Sequence, residues 1–149
     1  AMDRISEAAR QEAKRQKWQG GDVPEGYRHR LPFVHAKSCI YALDTLLKAM
    51  RQLAELPGMP AAVAETLRDL HEAFPDLVHV RNSSHHAEDR VQGKRWRDRI
   101  ELKPLTNGVV HAPEAGVVVD MLNNNRYGGT LGDGSYGEVE VSHQTVATA

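Results

Sequence analysis

Residues 33–56, "FVHAKSCIYALDTLLKAMRQLAEL", place Ala36, Ile40, Leu43, Leu47, Met50 and Leu53 three or four positions apart. That interval matches one helical turn, so the apolar side chains form a single stripe and predict an amphipathic helix. A stripe of this kind needs other elements to cover it. On the N-terminal side, residues 3–18 carry Ile5, Ala8, Ala9, Ala13 and Trp18 among strong helix formers, and "QGGDVPEG" then breaks the chain. On the C-terminal side "PGMP" stops the helix, and Pro60 suits the first turn of the next. Val63, Leu67, Leu70 and Phe74 keep helical spacing up to Pro75-Asp76. A further helix is predicted from there to about Gln92, with Gly93 as its C-cap.

Beyond residue 100 the period shortens to two. "RIELKPL", "GVVHA", "GVVVDM" and "YGEVEVS" are β-branched or alternating, and "TNG", "NNN" and "GDG" carry turn chemistry. The predicted fold class is α+β: an antiparallel helical bundle over residues 3–92, then a β-hairpin or meander over residues 100–142, in one domain of residues 1–149. Residues 114–123 also fit a short helix, because a brief apolar run does not discriminate. "GGTLGDG" reads as a hairpin turn. It precedes a strand and lacks the following Lys-Ser/Thr of a phosphate-binding loop.

Composition narrows the function classes. The chain has 149 residues, 40% hydrophobic and 26% charged, the balance of an ordinary folded domain. Its apolar runs are only a few residues long and no signal-peptide pattern opens it, so no membrane association is expected. Cys39 is the only cysteine. That removes disulfide frameworks and thiolate metal sites and makes a reducing cytoplasm the expected compartment. The position of Cys39 on the apolar-rich helix points to burial rather than nucleophilic chemistry. Residues 1–99 hold 17 Lys/Arg against 14 Asp/Glu, whereas residues 100–149 hold 2 against 6. A polyanionic partner therefore belongs on the first part.

Residues 79–90, "HVRNSSHHAEDR", concentrate the reactive side chains. On a continuous helix Leu77, Val80, Ser84, Ala87 and Val91 fall in one arc, the predicted buried seam. Asn82 and His86 then lie one turn apart outside the seam, with His79 and Arg90 on the same side, Arg81 nearer His85 and Glu88, and Ser83 on the exposed face. Histidine exchanges protons near neutral pH, and arginine offers a fixed fork of donors to phosphate oxygens. Together they can exchange a proton and hold a phosphate.

Arg81, Asn82 and His86 spell R-N-x-x-x-H, and over residues 33–92 the motif with its helical context resembles the HEPN superfamily. Many HEPN proteins are metal-independent ribonucleases that act as dimers, often as toxins or defence components. The resemblance implies His86 as acid/base, Arg81 as phosphate-holding cation, Asn82 as orienter, a homodimer with facing motifs, RNA as substrate and no cofactor. It does not extend to the β-rich end. The basic stretch "RVQGKRWRDR" follows directly and offers Arg90, Lys94, Arg95, Trp96 and Arg97 as RNA contacts, an indole or guanidinium stacking on an unpaired base. Trp96 also suits burial at the helix-to-sheet junction.

Three other readings compete. A polar helix face can be merely solvated. The domain can be a catalytically silent helical module that dimerises or binds a partner protein or nucleotide. Or His85, Glu88 and Asp89, joined by His35 and Asp44 or by His71 and Glu72, can bind a metal from a helical bundle. No Glu-x-x-His pair supports that last reading.

Overall fold

The computed structural model describes residues 2–21, 25–95 and 98–148; Trp96 and Arg97 lie outside them. The chain forms two compact units, residues 1–34 and 35–149. The first holds α1 (Met2–Gln19), α2 (Glu25–Arg28) and the opening of α3 (Leu31–Ala54). In α1 the Gly20 N–H donates to the Gln16 carbonyl, and Gly21 follows at φ 79°, a left-handed residue that ends the helix. Ala9 and Ala13 are exposed on it; the side chains of Ile5, Ala8 and Trp18 lie outside the described set.

The second unit continues α3 and adds α4 (Ala61–Ala73), α5 (Leu77–His85) and α6 (Ala87–Val91). Two short antiparallel pairs follow: β1 (Lys94–Arg95) with β2 (Asp98–Arg99), and β3 (Leu105–Thr106) with β4 (His111–Ala112). A three-stranded antiparallel sheet then forms from β5 (Met121–Asn123), β6 (Arg126–Thr130) and β7 (Tyr136–Glu140), with β6 central, and α7 (His143–Thr148) closes the chain. This is the α+β order read from the change of period. None of the described helices is long and apolar enough to cross a membrane.

The stripe on α3 becomes the core. Ala36, Ile40, Leu43 and Leu47 pack with Leu70 and Phe74 near the end of α4, Leu77 and Val80 of α5, and Tyr127, Leu131 and Val139 from the sheet region. Ile40, Leu77, Val80 and Tyr127 are under 2% exposed. Burying an aliphatic side chain of this kind stabilises by about 1.5–3 kcal/mol. The β-rich end is therefore packed on the helices through a shared core.

Three details differ from the sequence reading. The helix expected to run unbroken to Gln92 stops at His85, and His86 leaves helical geometry at φ −114°, ψ 44°. The break brings Arg90 back over α5, where its Nε donates to Ser83 Oγ at 2.9 Å. In an unbroken helix seven residues span ~10 Å of rise. The seam changes with it: Ser83, expected on the exposed face, is 6% exposed, and Val91, expected in the seam, is 67% exposed. Gly93, at φ 64° with its N–H on the Arg90 carbonyl, does end α6 as read.

The second difference lies in "GGTLGDG". Gly128 and Gly129 are buried inside β6, and only residues 131–134 turn. A Cβ on Gly128 would lie 2.3 Å from the Gly137 carbonyl oxygen, and one on Gly129 3.0 Å from that of Val118. The glycines serve close approach within the sheet rather than a turn. The third is that "GVVVDM" contributes only Met121 to β5; residues 116–119 form neither strand nor helix. The "NNN" turn stands as read, with Asn124 at φ 51° between paired Asn123 and Arg126.

Candidate functional site

Asp44 lies within the apolar stripe of α3, four residues after Ile40 and three before Leu47, and is 2% exposed. A buried carboxylate requires compensation. Lys48, one turn on, places Nζ 2.6 Å from Asp44 Oδ2, and Arg81 of α5 brings Nε to 3.1 Å from the same oxygen. The Arg81 approach is an ion pair rather than a hydrogen bond, since Nε does not aim at the oxygen; Asp44 Oδ1 has no hydrogen-bond partner among the described residues. The Arg81 guanidinium also lies over the Tyr41 ring, 5.4 Å from its centroid, and its Nη1 donates to Asn82 Oδ1 at 2.9 Å. Salt bridge, ring and amide together fix its orientation, and none of these contacts uses Nη2.

Tyr41 extends the group. Its hydroxyl is 3.0 Å from His85 Nδ1, and the His85 and His86 rings meet edge to face at 4.9 Å. His86 is half-buried, and its ring nitrogens make no hydrogen bond among the described residues. Thus α3 supplies Tyr41, Asp44 and Lys48, and the end of α5 supplies Arg81, Asn82, His85 and His86.

Asn82 faces a second feature, a cleft of about 350 Å³ between α5 and the β6–β7 turn. His79 and Asn82 line it from α5, and Arg90, brought back by the break at His86 rather than by a continuous helix, joins them with Asp76, Arg95 and Asp133. His86 and Arg81 do not line it. Arg90, expected on an exposed RNA-binding patch, is instead 6% exposed. Its Nε goes to Ser83 Oγ and its Nη1 to the Lys94 carbonyl at 2.7 Å, which ties α6 and β1 to α5. Burial lowers its pKa from the ordinary arginine value, Asp89 opposes that, and Arg95 adds to it. Lys94 and Arg95 are exposed, and Lys94 Nζ donates to Gln92 Oε1 at 3.1 Å.

Behind the cleft a polar knot fastens α5 to the sheet. Ser83 Oγ donates to the Thr130 carbonyl, and Tyr127 donates its hydroxyl proton to Asp120 Oδ1 while lying 2.8 Å from Ser84 Oγ. Lys37 Nζ reaches Asp120 Oδ2 at 2.8 Å. Burial first, and the bond to Asp120 second, push the Tyr127 hydroxyl well above the ordinary tyrosine pKa. Asp120 therefore stays with a tyrosine that holds its proton, a structural pairing.

The metal reading loses its geometry. Among the described residues no three His, Cys, Asp or Glu side chains gather to hold an ion. Asp44, one proposed ligand, is the counter-ion of Arg81 and Lys48. Sequence reasoning missed Tyr41 and the pairing role of Asp44. The signal for the second was present: a carboxylate on an apolar helical stripe must meet a cation. No family model matches the chain, and no curated protein or solved structure shows significant similarity to it.

Proposed function

We propose that this chain is a HEPN-like, metal-independent endoribonuclease, with Arg81 holding the phosphate and His86 exchanging the proton. The observation that carries the reading is the fixed Arg81 guanidinium, one turn before the end of α5, with Nη2 outside the contacts that fix it, while His86, which caps that helix, has no hydrogen bond at its ring nitrogens among the described residues. A cation oriented in advance stabilises the charge that develops on a phosphorane without reorganising during the reaction. In the reaction the ribose 2′-oxygen attacks the adjacent phosphorus. His86 takes the 2′-OH proton, the 5′-oxygen leaves with a proton, and a 2′,3′-cyclic phosphate remains. The motif holds one such histidine per chain, so the reading includes a homodimer in which the partner's copy supplies the second proton-transfer group. Lys94, Arg95 and the adjoining Trp96 and Arg97 would guide the strand, in a cytoplasmic toxin or defence role of the kind the resemblance implies.

The Asp44–Arg81 ion pair supports a second reading. A carboxylate at 3.1 Å takes up much of the positive charge that a phosphate would use, which favours a silent dimerisation or partner-binding module. One experiment separates the two. Single-stranded and structured RNA are incubated with purified protein in excess chelator, comparing wild type, His86→Ala and Arg81→Lys. Arg81→Lys keeps the charge beside Asp44 but loses the fork, so it tests phosphate holding without stranding the carboxylate. Endonuclease action predicts cyclic-phosphate products and about a hundred-fold loss in His86→Ala. Wild-type inactivity in a protein that is dimeric by light scattering would favour the silent module. A monomer at tens of micromolar would refute the shared-site mechanism.

A further inference from the structure

The α5/β6–β7 cleft has features that the polar knot and the Arg81 cluster leave unused. Arg90 is buried, yet its bonds go only to neutral oxygens; among the described residues no carboxylate pairs with it or with Arg95. Both guanidinium groups close on Gly132. A Cβ placed there would lie 3.4 Å from Arg95 Nε and 3.5 Å from Arg90 Nη2. The missing side chain leaves a small gap between two cations, and a buried guanidinium on which Asp89 acts only through space, with no carboxylate in ion-pair contact, favours an anion beside it. Of the carboxylates lining the cleft, Asp133 is already compensated by Lys103 Nζ at 2.9 Å and by Ser135.

Asp76 is different. It precedes α5, but its carboxylate makes no capping bond, and among the described residues it has no ion-pair partner. Its Oδ2 lies 3.1 Å from where a Gly137 Cβ would be, so the glycine admits it against the sheet. Gly137 pairs with Gly129, and Gly132 lies three residues further along the chain. Gly132 thus sits in the turn beyond the paired strand, and Asp76, Arg90 and Arg95 line one cleft. The cleft thus has a cationic end and an acceptor end, with His79, Asn82 and the apolar Leu131 among its walls.

We propose that this cleft binds one guanine nucleotide, its phosphate between Arg90 and Arg95 and its base edge on Asp76. Guanine presents N1–H and N2–H side by side, two donors that a carboxylate accepts together; adenine presents one amino group beside a ring acceptor. An uncompensated carboxylate at the far end opposes a second phosphate there, which selects a mononucleotide unit. The unit has two sources, a free nucleotide or a guanosine within a single strand. The inference rests on the cleft alone and does not require cleavage, because Arg81 and His86 line no part of it.

Calorimetry on the full chain tests it with 5′-GMP, 5′-AMP, inorganic phosphate, and guanine-containing and guanine-free DNA trinucleotides, which lack the 2′-OH and cannot be cut by cyclisation. GMP is expected to bind about ten-fold or more tightly than AMP or phosphate, given the strength of hydrogen bonds to charged groups. Gly132→Leu fills the gap without removing a charge, so it should abolish binding while circular dichroism shows the chain still folded, and Arg95→Gln, on an exposed side chain, tests the same end without pressing on Arg90. Arg95→Gln should weaken GMP about ten-fold, and Asp76→Asn should erase the preference for GMP over AMP. A guanine trinucleotide that outbinds GMP assigns the site to a strand, and equal binding assigns it to the free nucleotide. No heat with millimolar GMP, phosphate binding as tightly as GMP, or a base preference that survives Asp76→Asn would overturn the proposal. Loss of cleavage in His86→Ala with GMP binding intact separates this site from the endonuclease reading.

Discussion

Replacing Arg81 by alanine removes the cation held 3.1 Å from an Asp44 carboxylate whose side chain is 3% exposed. Deleting one partner of a buried ion pair typically costs about 3–5 kcal/mol, because the remaining charge is stranded away from water. Lys48 still lies 2.6 Å from the same oxygen but is 55% exposed, so it compensates only in part. Arg81→Ala should therefore destabilise by about 2–4 kcal/mol. The reciprocal change is milder. Asp44→Ala leaves Arg81, 25% exposed, and Lys48, more exposed still, both within reach of water. It also removes Oδ1, which is buried without a hydrogen-bond partner, an arrangement that itself costs about 1–3 kcal/mol. The net loss in Asp44→Ala should be about 1 kcal/mol or less. Urea unfolding at pH 7 measures both, provided the denaturant slopes match wild type. With Asp44 already alanine, Arg81→Ala should cost far less than in wild type, the signature of coupled neighbours. Asp44→Ala costing as much as Arg81→Ala, or strictly additive effects, would refute the account of Asp44 as a buried charge that depends on Arg81.

Other expectations follow from the same contacts. Ser83→Ala strips the buried Arg90 Nε of its acceptor and the Thr130 carbonyl of its donor, so urea unfolding should show a loss of about 2 kcal/mol; a neutral result would mean that the α5–sheet knot contributes nothing to stability. Gly134→Ala forces φ 81° on a residue with a Cβ that would lie 1.9 Å from the Glu101 carbonyl oxygen. The left-handed backbone alone costs about 1–2 kcal/mol, and the clash adds to it, so thermal unfolding should drop well beyond a surface substitution. Asp133 accepts from the Ser135 side chain first and from Lys103 second, which holds its carboxyl well below the usual range. A depressed carboxylate stabilises the fold above its ordinary pKa, and that contribution is lost as pH falls through the depressed value. Carboxyl NMR titration should show Asp133 still ionised when exposed aspartates are protonated, and Ser135→Ala should move it back toward them.

The helices were legible because burial on one side imposes a period. The α3 stripe has few alternatives once Ala36, Ile40, Leu43 and Leu47 recur at one turn. The change to alternating β-branched residues marks the sheet region for the same reason, and Asn124 can take a left-handed turn without tertiary help. The break at His86 carries no such mark, since "SSHHAED" contains neither Pro nor Gly. It follows from Arg90 turning back to Ser83 and Lys94, contacts that exist only once α6 and β1 have packed. Gly128 and Gly129 read as a turn because glycine permits one; only the approach of neighbouring backbone carbonyls in the folded chain shows that they permit contact instead. R-N-x-x-x-H was visible as three side chains on a helix. That Arg81 is clamped by Asp44 and Tyr41, 37 and 40 residues earlier, while Asn82 opens onto a separate cleft, was decided by how α5 packs between α3 and the sheet. A local pattern determines which face of a helix a residue occupies, but the neighbour that face meets is set by the packing of the whole core.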